Sequence, residues 1–200
     1  MDIGVLGGTY DPIHNGHLAM AEAARARLGL VEVRFVLAGQ PWLRPEPPVA
    51  PVEHRVEMVR LAIVGRLYFK LSTMEVVRVG PSYSVDTITE LKRERQEDEL
   101  FFIIGSDSLA ELSRWKEPAR LVSLCRMAVI PRPGYPIPDL GVLEASIPGI
   151  TQRVVLFDRP LIDISATVIR RRAALGLSLG GLVPEAVESY IRKHKLYFKF

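Results

Sequence analysis

The 200-residue chain has one cysteine, Cys125, so no internal disulfide can close and a disulfide-stapled secreted scaffold is excluded. It has no apolar run near the roughly 20 residues that a membrane-spanning helix needs. Its start, Met1-Asp2 and then an apolar run, lacks the basic segment of a secretory signal, and a reducing, cytoplasmic location is expected. With four histidines and one cysteine, the three or four ligands of a zinc site are scarce. Gly4, Gly7 and Gly8 do not spell the Gly-x-Gly-x-x-Gly of a dinucleotide fingerprint. Repeats, low-complexity tracts and linkers are absent. Basic residues are not interleaved with aromatics, and the net charge of +3 favours anionic ligands without making nucleic acid an expected partner.

What is present is a regular alternation. A hydrophobic share of 48% supports one substantial core, and a single domain over residues 1–200 is expected. Strands are predicted at Ile3 to Leu6, Val33 to Leu37, Leu71 to Val79, Leu100 to Ile104, Met127 to Ile130 and Val154 to Phe157. Helices are predicted at Gly16 to Leu28, Val52 to Val64, Ser84 to Arg95, Pro118 to Leu124, Leu140 to Ala145, Ser165 to Ala174 and Pro184 to His194. Such alternation implies an α/β fold, a mostly parallel sheet with helices on both faces, and ligands at the carboxyl ends of its strands. Two proline-rich stretches, Gln40 to Pro51 and Pro131 to Pro138, read as ordered excursions over that edge.

The most specific segment is Gly7-Gly8-Thr9-Tyr10-Asp11-Pro12-Ile13-His14-Asn15-Gly16-His17, directly after the first strand. Glycines without Cβ let the backbone approach an anion, and Thr9 adds a hydroxyl. Pro12 and Asn15 mark a helix entry. His14 and His17, three apart, fall on one face of the first turn, beside unpaired N–H groups and the positive end of the helix dipole. A half-formed metal site and a pair of core histidines are the alternatives. The second anion motif is Ile164-Ser165-Ala166-Thr167-Val168-Ile169-Arg170, where Ser165 suits an N-cap and Arg170 lies one turn beyond the first helical turn. An ordinary capped helix with a solvated basic tail is its plain alternative.

Together the two segments resemble the Gly-x-x-x-Asp-x-x-His-x-Gly-His and Ile-Ser-x-Thr-x-Ile-Arg signatures of the nucleotidyltransferase superfamily. Ser82-Tyr83-Ser84-Val85-Asp86-Thr87, Phe102 to Asp107, Trp115, Pro131-Arg132-Pro133-Gly134 and the closing segment Leu182 to Tyr197 narrow the resemblance. Over nearly the whole chain it is similar to the bacterial nicotinate-nucleotide adenylyltransferase family. That resemblance implies a Rossmann-like fold and AMP transfer from ATP, with Mg2+, to nicotinate mononucleotide. It implies His14, His17 and Arg170 at the reacting phosphates. Gly7, Gly8, Thr9, Tyr10, Gly105, Asp107, Ser165 and Thr167 would surround ATP. Arg44, Ser84, Val85, Asp86, Thr87, Trp115 and Arg132 would surround the other substrate. Asp107 could equally cap a helix, and Trp115 could be plain core. The loop after the second strand lacks the family's Pro-Pro-His-Lys, and Arg44 is the candidate to replace its lysine. Oligomeric state is not legible.

Overall fold

Alternate residues of each central strand face opposite ways, and both sets are apolar. Phe101 and Ile103 join one buried cluster while Leu100, Phe102 and Ile104 join another, as a strand covered on both faces requires. The computed structural model describes residues 1–43 and 50–198. Its six strands are β1 (Asp2–Gly8), β2 (Glu32–Leu37), β3 (Phe69–Ser72), β4 (Glu99–Gly105), β5 (Arg126–Ile130) and β6 (Val154–Leu156). They form one all-parallel sheet in the order β3-β2-β1-β4-β5-β6.

On one face lie α1 (Asn15–Leu28), α2 (Val52–Ile63), α9 (Ala166–Ala174) and α10 (Glu185–Lys193), which bury Leu18, Met58, Ile169 and Ile191. The other face carries α4 (Ser84–Glu94), α5 (Ser106–Ala110), α6 (Pro118–Leu124), α7 (Leu140–Glu144) and α8 (Ile150–Arg153), with Ile88, Leu109, Leu121 and Ile150 buried. Each such side chain contributes about 1.5–3 kcal/mol of transfer free energy. A helical turn, α3 (Met74–Val77), follows β3.

The predicted strand Leu71 to Val79 is therefore a correction. Pairing of β3 with β2 ends at the register Val36↔Ser72, and beyond it no strand of the described residues runs alongside. The chain winds into α3 instead, leaving Val77 and Val79 78% and 98% exposed. The β-branched composition that suggested a strand reflects local preference, which is weak where no sheet neighbour is available. The short elements α3, α5, α8 and a 3₁₀ turn at Leu112–Arg114 were not anticipated, since one turn has too few residues to set a period.

The strand order places the topological switch between β1 and β4, where connections leave toward opposite faces and open a crevice at the strands' carboxyl ends.

Candidate active site

That crevice is a cleft of about 660 Å³, lined from β1 by Gly7 and Gly8, from β4 by Phe102 to Gly105, and from β5 by Ile130. Thr9, Tyr10, His14, His17, Ser84, Thr87, Asp107, Trp115, Arg132, Ser165, Thr167 and Arg170 also face it. The fold thus gathers most of the predicted site residues.

His14, with extended backbone, occupies the N-cap position of α1. Its N–H donates to Nδ1 of His17 at 3.2 Å, and the two imidazoles stack with centroids 3.6 Å apart. An accepting Nδ1 puts the proton of neutral His17 on Nε2. His14 is 8% exposed and its Nδ1 is buried without a hydrogen-bond partner among the described residues. Burial, assisted by the nearby Arg132 guanidinium, pushes its pKa from 6.5 to about 4. In its protein surroundings His14 therefore stays neutral to well below pH 7 and offers a hydrogen bond.

Tyr10, predicted to touch ATP, is 1% exposed, with φ +50 and its hydroxyl donating to the Leu6 carbonyl. Its ring meets His17 edge-on at 5.0 Å, so its side chain steadies an imidazole while its hydroxyl is spent on Leu6. Gly8 is glycine because a Cβ there would come within 2.8 Å of that ring. At Gly7 a Cβ would make only ordinary contact with Phe102 at 3.6 Å.

Arg170 reaches back from α9 and donates from Nη1 to the Asp11 carbonyl oxygen at 2.8 Å and from Nη2 to Thr167 Oγ1 at 3.4 Å. Ser165 holds the N-cap position of α9, but its hydroxyl makes no capping bond. Two further residues support this arrangement: Asp11, to which the sequence reading gives no role, and Arg55, which with His54 is its candidate to help Arg44 at the substrate phosphate. Asp11, 2% exposed, accepts from the Tyr197 hydroxyl at 2.8 Å and the Ala50 N–H at 3.2 Å. Arg55, equally buried, donates from Nη1 to the carbonyls of Thr9 and Ala38, each at 2.8 Å. Asp11 stood inside the motif already singled out. Arg55, expected beside His54 as a helper at the substrate phosphate, instead donates its guanidinium to backbone carbonyls.

Asp107 does not cap α5, whose N-cap is Gly105; it pairs with Arg132. Ser106 holds the following turn by donating to Tyr135 O at 2.7 Å and accepting from Arg132 N–H at 3.0 Å. At the start of α4, Ser84 and Thr87 line the cleft, but two neighbours do not. Val85 is 1% exposed in the core, and Asp86 turns outward to Lys116 at 3.1 Å. On a helix, residues one apart are about 100° apart in direction, so a four-residue motif cannot send every side chain into one cleft. Among the described residues no hydrogen bond uses the amide of Ser84, which lines the cleft, whereas those of Asp86 and Thr87 donate to the Tyr83 carbonyl. Trp115 lines the wall edge-on to Phe102, with its Nε1 buried and unpartnered among the described residues. Trp42, Glu75 and Ser82 line the cleft without having been anticipated. Arg44 lies outside the described residues.

A family model described as cytidylyltransferase-like matches residues 5–172. A Dehalococcoides mccartyi protein named "Probable nicotinate-nucleotide adenylyltransferase" is 41% identical, the match covering 98% of this chain and 97% of that protein. A Thermomicrobium roseum protein of the same name is 44% identical over 98% and 91% of the two chains. The solved structure of Plasmodium falciparum nicotinic acid mononucleotide adenylyltransferase complexed with NaAD has the same fold, with a TM-score of 0.78 at 20% identity over 98% of this chain and 97% of that one. By its motifs, its sheet order and these relatives, the chain belongs to the cytidylyltransferase-like family and, within it, to the nicotinate-nucleotide adenylyltransferases.

Proposed function

We propose that this enzyme transfers the adenylyl group of ATP to nicotinate mononucleotide, forming nicotinate adenine dinucleotide and pyrophosphate. The observation that carries the site assignment is the contact of Arg170 with Asp11, 159 positions apart in sequence, which joins the two anion motifs in one cleft. The acceptor's phosphate is ionised at neutral pH and needs no side-chain base. One of its oxygens attacks the α-phosphorus; the bond from that phosphorus to the oxygen bridging to the β-phosphate breaks, and pyrophosphate departs with the electron pair.

The protein's contribution is alignment and stabilisation of charge on the phosphate oxygens. His14 and His17 supply N–H donors at the positive end of α1, while Arg170 supplies a fixed positive charge. Thr9, Ser165 and Thr167 add hydroxyls, and Gly7 and Gly8 let the backbone come close. Gly105 with the Asp107–Arg132 pair borders the adenosine and acceptor pockets. A magnesium ion would arrive as part of the MgATP substrate, carried by its phosphates. Trp115 offers a flat surface for the pyridine ring, and the amides at the start of α4 suit its carboxylate.

Pyrophosphate release with MgATP, measured across nicotinate mononucleotide, nicotinamide mononucleotide, phosphopantetheine and glycerol phosphate, tests this. Turnover of the first well above the others is expected. No release with nicotinate mononucleotide would overturn the proposal.

A further inference from the structure

Glu75 is a cleft-lining carboxyl group, 7% exposed, that the adenylyl-transfer chemistry does not use. It stands on α3, and two hydroxyls from the approach to α4 turn to it. Thr87 Oγ1 donates to its Oε1 at 2.5 Å, and the Ser82 side chain hydrogen-bonds to it as well. Each hydroxyl also accepts from the far side: Arg78 Nη1 donates to Thr87 Oγ1 at 3.0 Å, and the Gln40 N–H donates to Ser82 Oγ at 3.2 Å. The Ser82 N–H returns to the Gln40 carbonyl at 2.9 Å. Residue 39 has no space for a side chain, because a Cβ there would fall against the Glu75 carbonyl oxygen.

These bonds tie the loop after β2, the turn α3 and the first turn of α4 to one buried carboxyl group. They also set direction. A hydroxyl has one proton, and that of Thr87 is committed to Glu75, so Thr87 presents lone pairs to any further partner. An anionic group at the start of α4 then finds its donors at Ser84, the amide and the hydroxyl of which stand at the cleft.

We infer that Glu75 is the positioning residue of the pyridine-nucleotide subsite: through Ser82 and Thr87 it holds the first turn of α4 where its amides can meet the substrate's carboxylate. The inference rests on nicotinate mononucleotide being the acceptor. Buried, hydrogen-bonded carboxyl groups orient what they touch, and their loss costs most where a backbone turn depends on them. Arg170 is held through Asp11, and Arg55 keeps the phosphate loop at Thr9 and the base of the loop after β2 at Ala38 in place without Glu75. Loss of Glu75 is therefore felt first at the start of α4.

The test is steady-state kinetics on the full-length enzyme with both substrates varied, together with thermal melts. Glu75→Ala should raise KM for nicotinate mononucleotide about tenfold or more, with kcat and KM for ATP within about threefold of the parent. Glu75→Gln keeps an acceptor oxygen and should recover most of the loss. In a Ser82→Ala/Thr87→Val background, Glu75→Ala should add less than about twofold, because the bonds through which it acts are already gone. A folded Glu75→Ala enzyme with an unmoved KM for nicotinate mononucleotide, or with both KM values raised together, overturns the inference. If Glu75→Ala does not fold, the Ser82→Ala/Thr87→Val enzyme decides: it must show the same one-substrate defect. A parent enzyme that fails to use nicotinate mononucleotide would instead overturn the acceptor assignment, a separate outcome.

Discussion

The imidazoles of His14 and His17 stack at 3.6 Å with their planes 24° apart, and the backbone N–H of the first donates to Nδ1 of the second. One histidine is thereby set as the cap of a helix and the other is fixed in its tautomer, before any phosphate arrives. The stack also bears on charge. Two protonated rings at that separation would repel, and the buried member stays neutral.

Replacing His17 by Ala should lower kcat by about 10²- to 10³-fold, the usual effect of removing one preoriented transition-state donor, while KM for ATP changes less. Thermal melts should show a folded protein, since Tyr10 keeps its bond to Leu6. Near-normal turnover would remove His17 from the chemistry.

His14 makes stability depend on pH. Unfolded, it titrates near its ordinary 6.5, and folded near 4. Between those values the unfolded chain holds the extra proton, so this contribution to stability is lost as pH falls from 6.5 to 4 and does not change further below. The loss is on the order of 3 kcal/mol. Urea denaturation of the parent and of His14→Gln should converge or cross by that amount between pH 7 and 4. A constant difference across the range would mean that folded His14 titrates normally.

Arg170→Ala should weaken ATP binding and slow turnover together, and Arg170→Lys should rescue only partly, because an ammonium cannot hold the Asp11 carbonyl, Thr167 and a phosphate with one planar fork. The exposed neighbour Arg171 serves as the control. Equal harm from Arg171→Ala would refute the assignment of the phosphate contact to Arg170.

Stacking on an aromatic face is worth about 1–3 kcal/mol, so Trp115→Ala should raise KM for nicotinate mononucleotide roughly ten- to a hundredfold and leave KM for ATP nearly unchanged. The amides of α4 should favour the acid over the amide substrate by at least about tenfold, since a neutral NH₂ forgoes the dipole attraction and sets donor against donor. Equal use of the two nucleotides would sink the carboxylate reading.

Hydrophobic period and glycine placement in the sequence were enough to determine the α/β alternation, five of the six strands to within two residues, and both anion motifs. Each depends on neighbours in the chain, and a strand or a helix turn is a local object. The motif residues His14, His17, Thr167 and Arg170 could be assigned to one cleft because a parallel sheet delivers every strand's carboxyl end to the same edge. Tertiary structure decided the rest. It turned Val85 into the core and Asp86 toward Lys116, buried Tyr10 under His17, and lowered the pKa of His14. It also ended β3 at Ser72 and delivered Glu75 to the hydroxyl of Thr87, 12 residues on. Side-chain direction, desolvation and the pairing of buried polar groups depend on which surfaces meet, and no window of sequence contains both surfaces.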